Sequence, residues 1–263
     1  KWFAAWSFLE RFVIANFDLT GRRALVTGAS SGLGAHFATV LAAAGAHVVI
    51  AARRRERLEQ LHATISGTGG LVTVADLDVT NSESVAALAR SEPEIDVVVN
   101  NAGMVREARA LHIEEADWAA VIDTNQTGAF KVAQAFARQM RDRGTGGSII
   151  NIASILGIRQ GGGVLPYAVS KAAVIQMTKS LALELARDGI RVNALAPGYI
   201  ATELNEAFWE SEAGVAMIKR IPQRRLGRLQ DLEGPLLLLA SEASAYMTGA
   251  VVAVDGGHLV SSL

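Results

Sequence analysis

The 263 residues contain no cysteine and only 5 prolines, and 25 lysines and arginines nearly cancel 26 aspartates and glutamates. Without cysteine there can be no disulfide framework, thiolate nucleophile or cysteine-ligated zinc or iron–sulfur site. A formal net charge of -1 offers no basic stripe to neutralise phosphates, so no nucleic-acid partner is expected. Paired carboxylates of the glycosidase kind are missing. His36, His47, His62, His112 and His258 are scattered through separate elements and are read as structural, so no metal is expected. With 50% apolar residues and 25 glycines the chain is not disordered. It is long enough to bury about three quarters of its unfolded surface.

The start of the chain stands apart. Residues 1–17 hold Trp2, Phe3, Trp6, Phe8, Phe12 and Phe17, and Trp2, Trp6, Leu9 and Val13 recur at helical spacing. This predicts an N-terminal amphipathic helical extension docked on its own domain or on a neighbouring subunit. It is too short and too interrupted by Glu10 and Arg11 to span a bilayer, and no small-residue cleavage site follows. No membrane contact is expected.

From Arg22 onward, short β-branched runs alternate with helix-patterned stretches. The runs are 24–26, 48–50, 71–75, 97–99, 149–152, 192–195 and 251–254; the helices are expected over 33–44, 54–65, 82–90, 114–142, 167–187 and 230–240. Continuous apolar runs mark strands covered on both faces. The pattern predicts an α/β fold, a doubly wound parallel sheet of about seven strands in a single Rossmann-like domain over 18–263. Ligands of such sheets sit outside the carboxyl ends of the strands. The clusters of small and polar residues fall there: Thr27-Gly28, Asn100 to Gly103, Ser154 and Pro197-Gly198.

Between the first run and the first helix lies Thr-Gly-Ala-Ser-Ser-Gly-Leu-Gly, residues 27–34. Gly28, Gly32 and Gly34 allow a tight turn and close approach of main chain to a pyrophosphate at a helix N-terminus; Ser30, Ser31 and Leu33 belong to the same loop. The spacing is GxxxGxG, not the stricter GxGxxG. An NAD site wants an acid at the end of the second strand to hold the ribose hydroxyl. Here the strand ends in Ala51-Ala52 and runs into Arg53-Arg54-Arg55. Arginine pairs with the extra phosphate of NADP where a carboxylate would repel it. NADP is therefore expected over NAD, with Arg53 best placed and Arg54 next.

Tyr167 and Lys171 are four apart in a helical stretch and share a face. Hydride reduction of a carbonyl leaves an alkoxide that must be protonated. A free phenol with a pKa near 10 is an acceptable acid but a poor base, and a fixed ammonium favours the ionised form. Ser154, just past the fifth strand, can hold the substrate oxygen beside the phenol. Asn125 is a poor helix-interior residue and marks a bend or a water site.

Together, TGxxxGxG, Asn-Asn-Ala-Gly at 100–103, Ser154, Tyr167-x-x-x-Lys171, Asp78-Val79, Asn125, Pro197-Gly198, Thr248-Gly249 and Asp255-Gly256-Gly257 resemble the short-chain dehydrogenase/reductase family from about Phe17 onward. The resemblance implies an oxidoreductase moving hydride between nicotinamide and a carbonyl or secondary alcohol. Tyr167 would be the acid/base, Lys171 its partner and a ligand of the nicotinamide ribose, Ser154 the orienting donor and Asn125 the support of a proton relay. It places Asp78 and Val79 at the adenine, and Asn100, Ala102 and Gly103 along the adenosine side. Pro197, Gly198, Ile200 and Thr202 would lie at the nicotinamide. It makes 203–226 a substrate lid with Phe208, Trp209, Met217 and Ile218 as an apolar roof, and 155–166 another wall in which Arg159 meets an anionic substrate or faces solvent. It implies a cytoplasmic dimer or tetramer acting on a small molecule. The competing readings are a non-catalytic dinucleotide sensor, an NAD-linked alcohol dehydrogenase, and a sugar-nucleotide epimerase, for which the C-terminal part looks too short.

Overall fold

The computed structural model describes residues 17–201 and 206–261. The predicted N-terminal helix therefore lies outside the described residues, apart from Phe17. Seven strands form one sheet: β1 Arg23–Thr27, β2 His47–Ala52, β3 Val72–Asp76, β4 Val97–Asn100, β5 Gly147–Ile152, β6 Ile190–Pro197 and β7 Val251–Val254. Their order is β3-β2-β1-β4-β5-β6-β7, and every pairing is parallel. The α/β class and the doubly wound parallel sheet expected from the sequence are found, with shifts of one to three residues at element ends.

The helices are α1 Gly32–Ala43, α2 Arg55–Gly67, α3 Ser82–Ser91, α4 Glu115–Ile122, α5 Ala129–Arg143, α6 Leu165–Leu185, α7 Glu206–Glu210, α8 Glu212–Ile218 and α9 Glu233–Ala240. Side chains of a strand alternate between faces, and the core divides accordingly. Val97 and Val99 of β4 pack with Phe37 and Leu41 of α1, Leu58 of α2 and Leu236 of α9. Val98 packs on the other face with Leu88 of α3 and Val132, Phe136 and Met140 of α5. Parallel strands need crossovers, and the pattern of apolar residues on these helices decides which face each one covers. No helix among the described residues is long and apolar enough to cross a membrane.

The expected helix over 114–142 is not continuous. Between α4 and α5, residues Asp123–Gly128 form a π-helical turn. The wider turn accommodates Asn125, which is buried, and Gly128, where a Cβ would come within 2.7 Å of Val79. At the sheet's midpoint, β1 and β4 are neighbours whose chains leave towards opposite faces. That switch point opens the crevice in which the site lies.

Candidate active site

The loop after β1 is shaped by glycines with different duties. Gly28 has φ +66°, and a Cβ there would sit 2.8 Å from Ala102 Cα; at Gly34 it would sit 2.4 Å from the Gly28 carbonyl oxygen. At Gly32 a Cβ would meet nothing within 4 Å. The loop is thus closed against the protein at two glycines and open to the crevice at the third, beside the N-terminus of α1. This fits a pyrophosphate, which needs bare main chain and the positive end of a helix dipole.

Asn101 and Thr27 fasten the loop. Asn101 Nδ2 donates to the Thr27 carbonyl at 2.9 Å, and Thr27 Oγ1 accepts from the main-chain N–H groups of Asn101 and Ala102 at 3.1 and 3.0 Å. Sequence reading chose Asn100 here, and the structure corrects it. Asn100 is the last residue of β4 and shares the α5 face with Val98, so its amide is buried and donates to the carbonyl of Ala129 and to Asn151 Oδ1. Its neighbour Asn101 faces the glycine loop. The signal available was alternation along β4.

At the end of β2, Arg54 donates to Ser30 Oγ at 2.9 Å and to Ser31 Oγ at 2.7 Å. Arg53 is exposed, makes no hydrogen bond or ion pair among the described residues, and lends its charge to lowering the Asp78 carboxyl. The main cause of that lowering is the Thr80 hydroxyl, bonded to Asp78 at 2.7 Å.

On the other side of the crevice, β5 delivers Ser154 and α6 delivers Tyr167 and Lys171. Ser154 is buried; its side chain bonds the Tyr167 phenol and accepts from Leu156 N–H at 3.1 Å, capping a short 3-10 turn. Lys171 is also buried. Its ammonium donates to the Ile152 carbonyl at 2.7 Å and stands 5.5 Å from the Tyr167 ring centroid. Burial brings the Lys171 pKa down to about 8. Burial also pushes the Tyr167 phenol up, and the Ser154 hydrogen bond only offsets part of this. The lowered phenol expected from the sequence is not found: desolvation of the tyrosinate is the largest influence on the group.

Asn125 does not line the crevice; it works from behind. Its amide accepts from Met104 N–H, donates to the Met104 carbonyl, and donates to Ser170 Oγ at 3.0 Å. Ser170 in turn donates to the Tyr167 carbonyl at 2.7 Å. The side chain is fully committed to protein partners, tying the loop after β4 to the helix that bears Tyr167.

Gly28, Ser30, Ser31, Gly32, Leu33, Gly34, Arg53, Asp78, Val79, Ala102, Gly103, Ser154, Tyr167, Lys171, Pro197, Gly198 and Ile200 all line a single cleft of about 1170 Å³. Thr202 lies outside the described residues. Gly198 is pressed against Asp255, where a Cβ would come within 2.8 Å of its Cα. Phe208, Trp209 and Met217 line the cleft, as do Ile155, Leu156, Gly161 to Gly163 and Val164, whereas Ile218 does not. Arg159 is half-buried and does not line the cleft. It donates to the His258 carbonyl and to Ser261 Oγ, a partnership with the C-terminal turn that no local sequence signal announces. Sequence reading also missed Met104 and Ser170, and passed over Tyr199 as part of the aromatic wall.

Residues 28–258 match the family model described as enoyl-(acyl carrier protein) reductase. The chain is 40% identical over 250 residues to gluconate 5-dehydrogenase of Gluconobacter oxydans, covering 93% of this chain and 97% of that protein. It is also 40% identical over 246 residues to 3-oxoacyl-(acyl-carrier-protein) reductase of Thermotoga maritima, covering 92% and 99%. The chain belongs to the short-chain dehydrogenase/reductase family. As a short-chain dehydrogenase/reductase it is an oxidoreductase acting on CH–OH or C=O groups. Its fold matches the crystal structure of a gluconate 5-dehydrogenase from Burkholderia cenocepacia in complex with NADP and tartrate. That match has TM-score 0.90 and 40% identity over 94% of this chain and 99% of the other.

Proposed function

We propose that the protein is an NADP-dependent carbonyl reductase or alcohol dehydrogenase in which Tyr167 is the acid/base. The observation that carries this is the Ser154–Tyr167–Lys171 constellation, with Ser154 and Lys171 buried and Tyr167 half-buried, in the same cleft that begins at the open face of Gly32. When bound, NADPH supplies a hydride, with its two electrons, to the carbonyl carbon. Ser154 and Tyr167 hold the carbonyl oxygen, and Tyr167 gives it the proton it needs as the C–H bond forms. Lys171 stabilises the phenolate left behind and would hold the ribose end of the coenzyme. Asn125 positions both through Met104 and Ser170, and that is its contribution to the proton relay. Ser30, Ser31 and Leu33 with the three glycines would hold the pyrophosphate. Arg53 would take the 2′-phosphate, and Asp78 and Val79 the adenine. Pro197, Gly198, Ile200 and Thr202 would flank the nicotinamide, and Ala102 and Gly103 the adenosine side.

The segment 203–226 would act as a lid over the substrate. The protein works as a cytoplasmic homo-oligomer, a dimer or tetramer. Trp118 on α4, Phe130 on α5 and Val169 and Leu183 on α6 are exposed apolar side chains that support such contacts. The test mixes purified protein with NADPH or NADH and a panel of ketones, following nicotinamide absorbance. NADPH-dependent turnover that Tyr167→Phe abolishes is expected. Equal turnover by the variant overturns the assignment.

A further inference from the structure

Arg159 spends its guanidinium on main chain far from its own loop. It follows the 3-10 turn that Ser154 caps, and its N–H closes that turn by donating to the Ile155 carbonyl at 2.8 Å. The side chain crosses to the C-terminal turn, where Nη1 donates to the His258 carbonyl and, at 3.4 Å, to Ser261 Oγ. Ser261 Oγ donates to the same carbonyl at 2.9 Å.

That turn is braced from within. Asp255 directly follows β7, and its carboxylate accepts from the N–H groups of Gly257 and Leu259 at 2.9 and 2.7 Å. It also backs the far wall of the cleft. Asp255 is pressed against Gly198, and the buried His258 places its ring 5.5 Å from that of Tyr199. The Gly256 carbonyl accepts from Gln223 N–H at 3.1 Å, which fastens the stretch after α8 to the same turn. Gly198 and Tyr199 both line the cleft.

The two walls meet at the reacting centre. The Tyr199 phenol is near enough for its charge to push the Tyr167 phenol up. Burial pushes the Tyr199 phenol up in turn, and the Arg159 charge opposes this. One wall is headed by Ser154 on β5 and the other continues β6 into Gly198 and Tyr199. Arg159 joins them through the C-terminal turn, without entering the cleft itself.

We propose that Arg159 is a positioning residue for hydride transfer: by pinning the turn that Ser154 heads to the turn that backs Gly198 and Tyr199, it fixes the spacing between the two walls that enclose the ketone. This rests on reading Ser154, Tyr167 and Lys171 as the hydride-transfer site. A hydroxyl aimed at a reacting oxygen loses most of its effect when displaced by about 1 Å, so a remote brace acts on turnover.

The experiment compares Arg159→Met and Arg159→Lys with wild type in the full chain, well below the melting temperature. Methionine keeps an apolar stem and removes every donor, whereas lysine restores a donor and the charge. With NADPH and 5-keto-D-gluconate or ethyl acetoacetate, kcat is expected to fall about thirtyfold in Arg159→Met and by less than about threefold in Arg159→Lys. The NADPH dissociation constant is expected to change by less than about threefold in both. Hydrogen exchange of main-chain amides, which needs no substrate, should quicken together over 155–159, 198–201 and 255–261 in Arg159→Met, with 28–34 unchanged. A wild-type kcat in Arg159→Met overturns the inference even if Tm falls, because the contact would then hold the fold and not the chemistry. Equal losses of kcat in the two variants overturn it as well, and so does quickened exchange confined to one of the three segments. All of these leave the hydride-transfer reading standing. Failure of NADPH to bind the wild type overturns that reading.

Discussion

Asn125 grips the main chain of Met104 at two points, accepting from its N–H at 2.8 Å and donating to its carbonyl at 2.9 Å. Removing the amide strands both groups and takes a donor from Ser170 Oγ, which keeps its bond to the Tyr167 carbonyl. Asn125→Leu should cost about 2–3 kcal/mol of stability. For a chain of this size that lowers Tm by several degrees, roughly 2–4 °C per kcal/mol, measurable by calorimetry. Asn125→Asp keeps the bond from Met104 N–H and loses both donations, so its Tm should fall between the two. A Tm equal to wild type in both variants would mean that the clamp holds nothing.

Tyr167 is the group whose loss should separate chemistry from binding. Tyr167→Phe removes the hydroxyl that bonds Ser154 and leaves the ring beneath Lys171 in place. Reductive turnover should fall by about a thousandfold, while the NADPH dissociation constant, read by titration, changes by less than about threefold.

Lys171 is a buried cation whose pKa of about 8 lies below the ordinary 10.5. Between those two values the unfolded chain binds a proton that the folded chain has released. Stability therefore rises with pH across that window, and the full cost of the charge is felt below about 8. The gap corresponds to about 3 kcal/mol, from which about 1 is regained by the bond to Ile152. Lys171→Met should accordingly be about 2 kcal/mol more stable than wild type in urea unfolding near neutral pH, with the advantage shrinking as pH rises through the window. Turnover should be lost in the variant, and in wild type should decline above about pH 8 as the ammonium deprotonates. A variant less stable than wild type at neutral pH would show that the ammonium's contacts outweigh its burial.

Arg53 and Arg54 divide their work. Arg54 is spent on Ser30 and Ser31, while Arg53 stands open at the end of β2. Arg53→Ala should lower the preference for NADPH over NADH in kcat/KM by about tenfold to a hundredfold, with little effect on NADH itself. Arg54→Ala, by loosening the phosphate loop, should weaken both coenzymes. Equal losses from the two variants would overturn this division.

What was legible in the sequence was whatever depends on neighbours in the chain. β-branched runs marked all seven strands, the three glycines marked the turn into α1, and Tyr167 and Lys171 marked one face of α6. Asn125 was legible as an anomaly, because asparagine sits poorly inside a helix, but the width of its turn was not. The choice between Asn100 and Asn101 needed the strand's facing, which only the packing of Val98 against α5 reveals. Arg159 was misread because its partners lie about a hundred residues away, at His258 and Ser261. The phenol's ionisation was misjudged for a related reason: burial is a property of the assembled fold, and it opposes the charge that spacing alone appeared to favour.

The π-helical turn over Asp123–Gly128 also sets how much the chain's length can vary. Each helical residue advances the chain by about 100° and 1.5 Å. A π-helical turn spends about one residue more on each revolution, so deleting one residue from it would restore ordinary pitch and leave Val132, Phe136 and Met140 of α5 facing the core. What would be lost is the surplus position inside the turn, and with it the hold of the Asn125 amide on Met104. The extra residue therefore serves the placement of Asn125, while α5 keeps its phase with the sheet whether or not it is there.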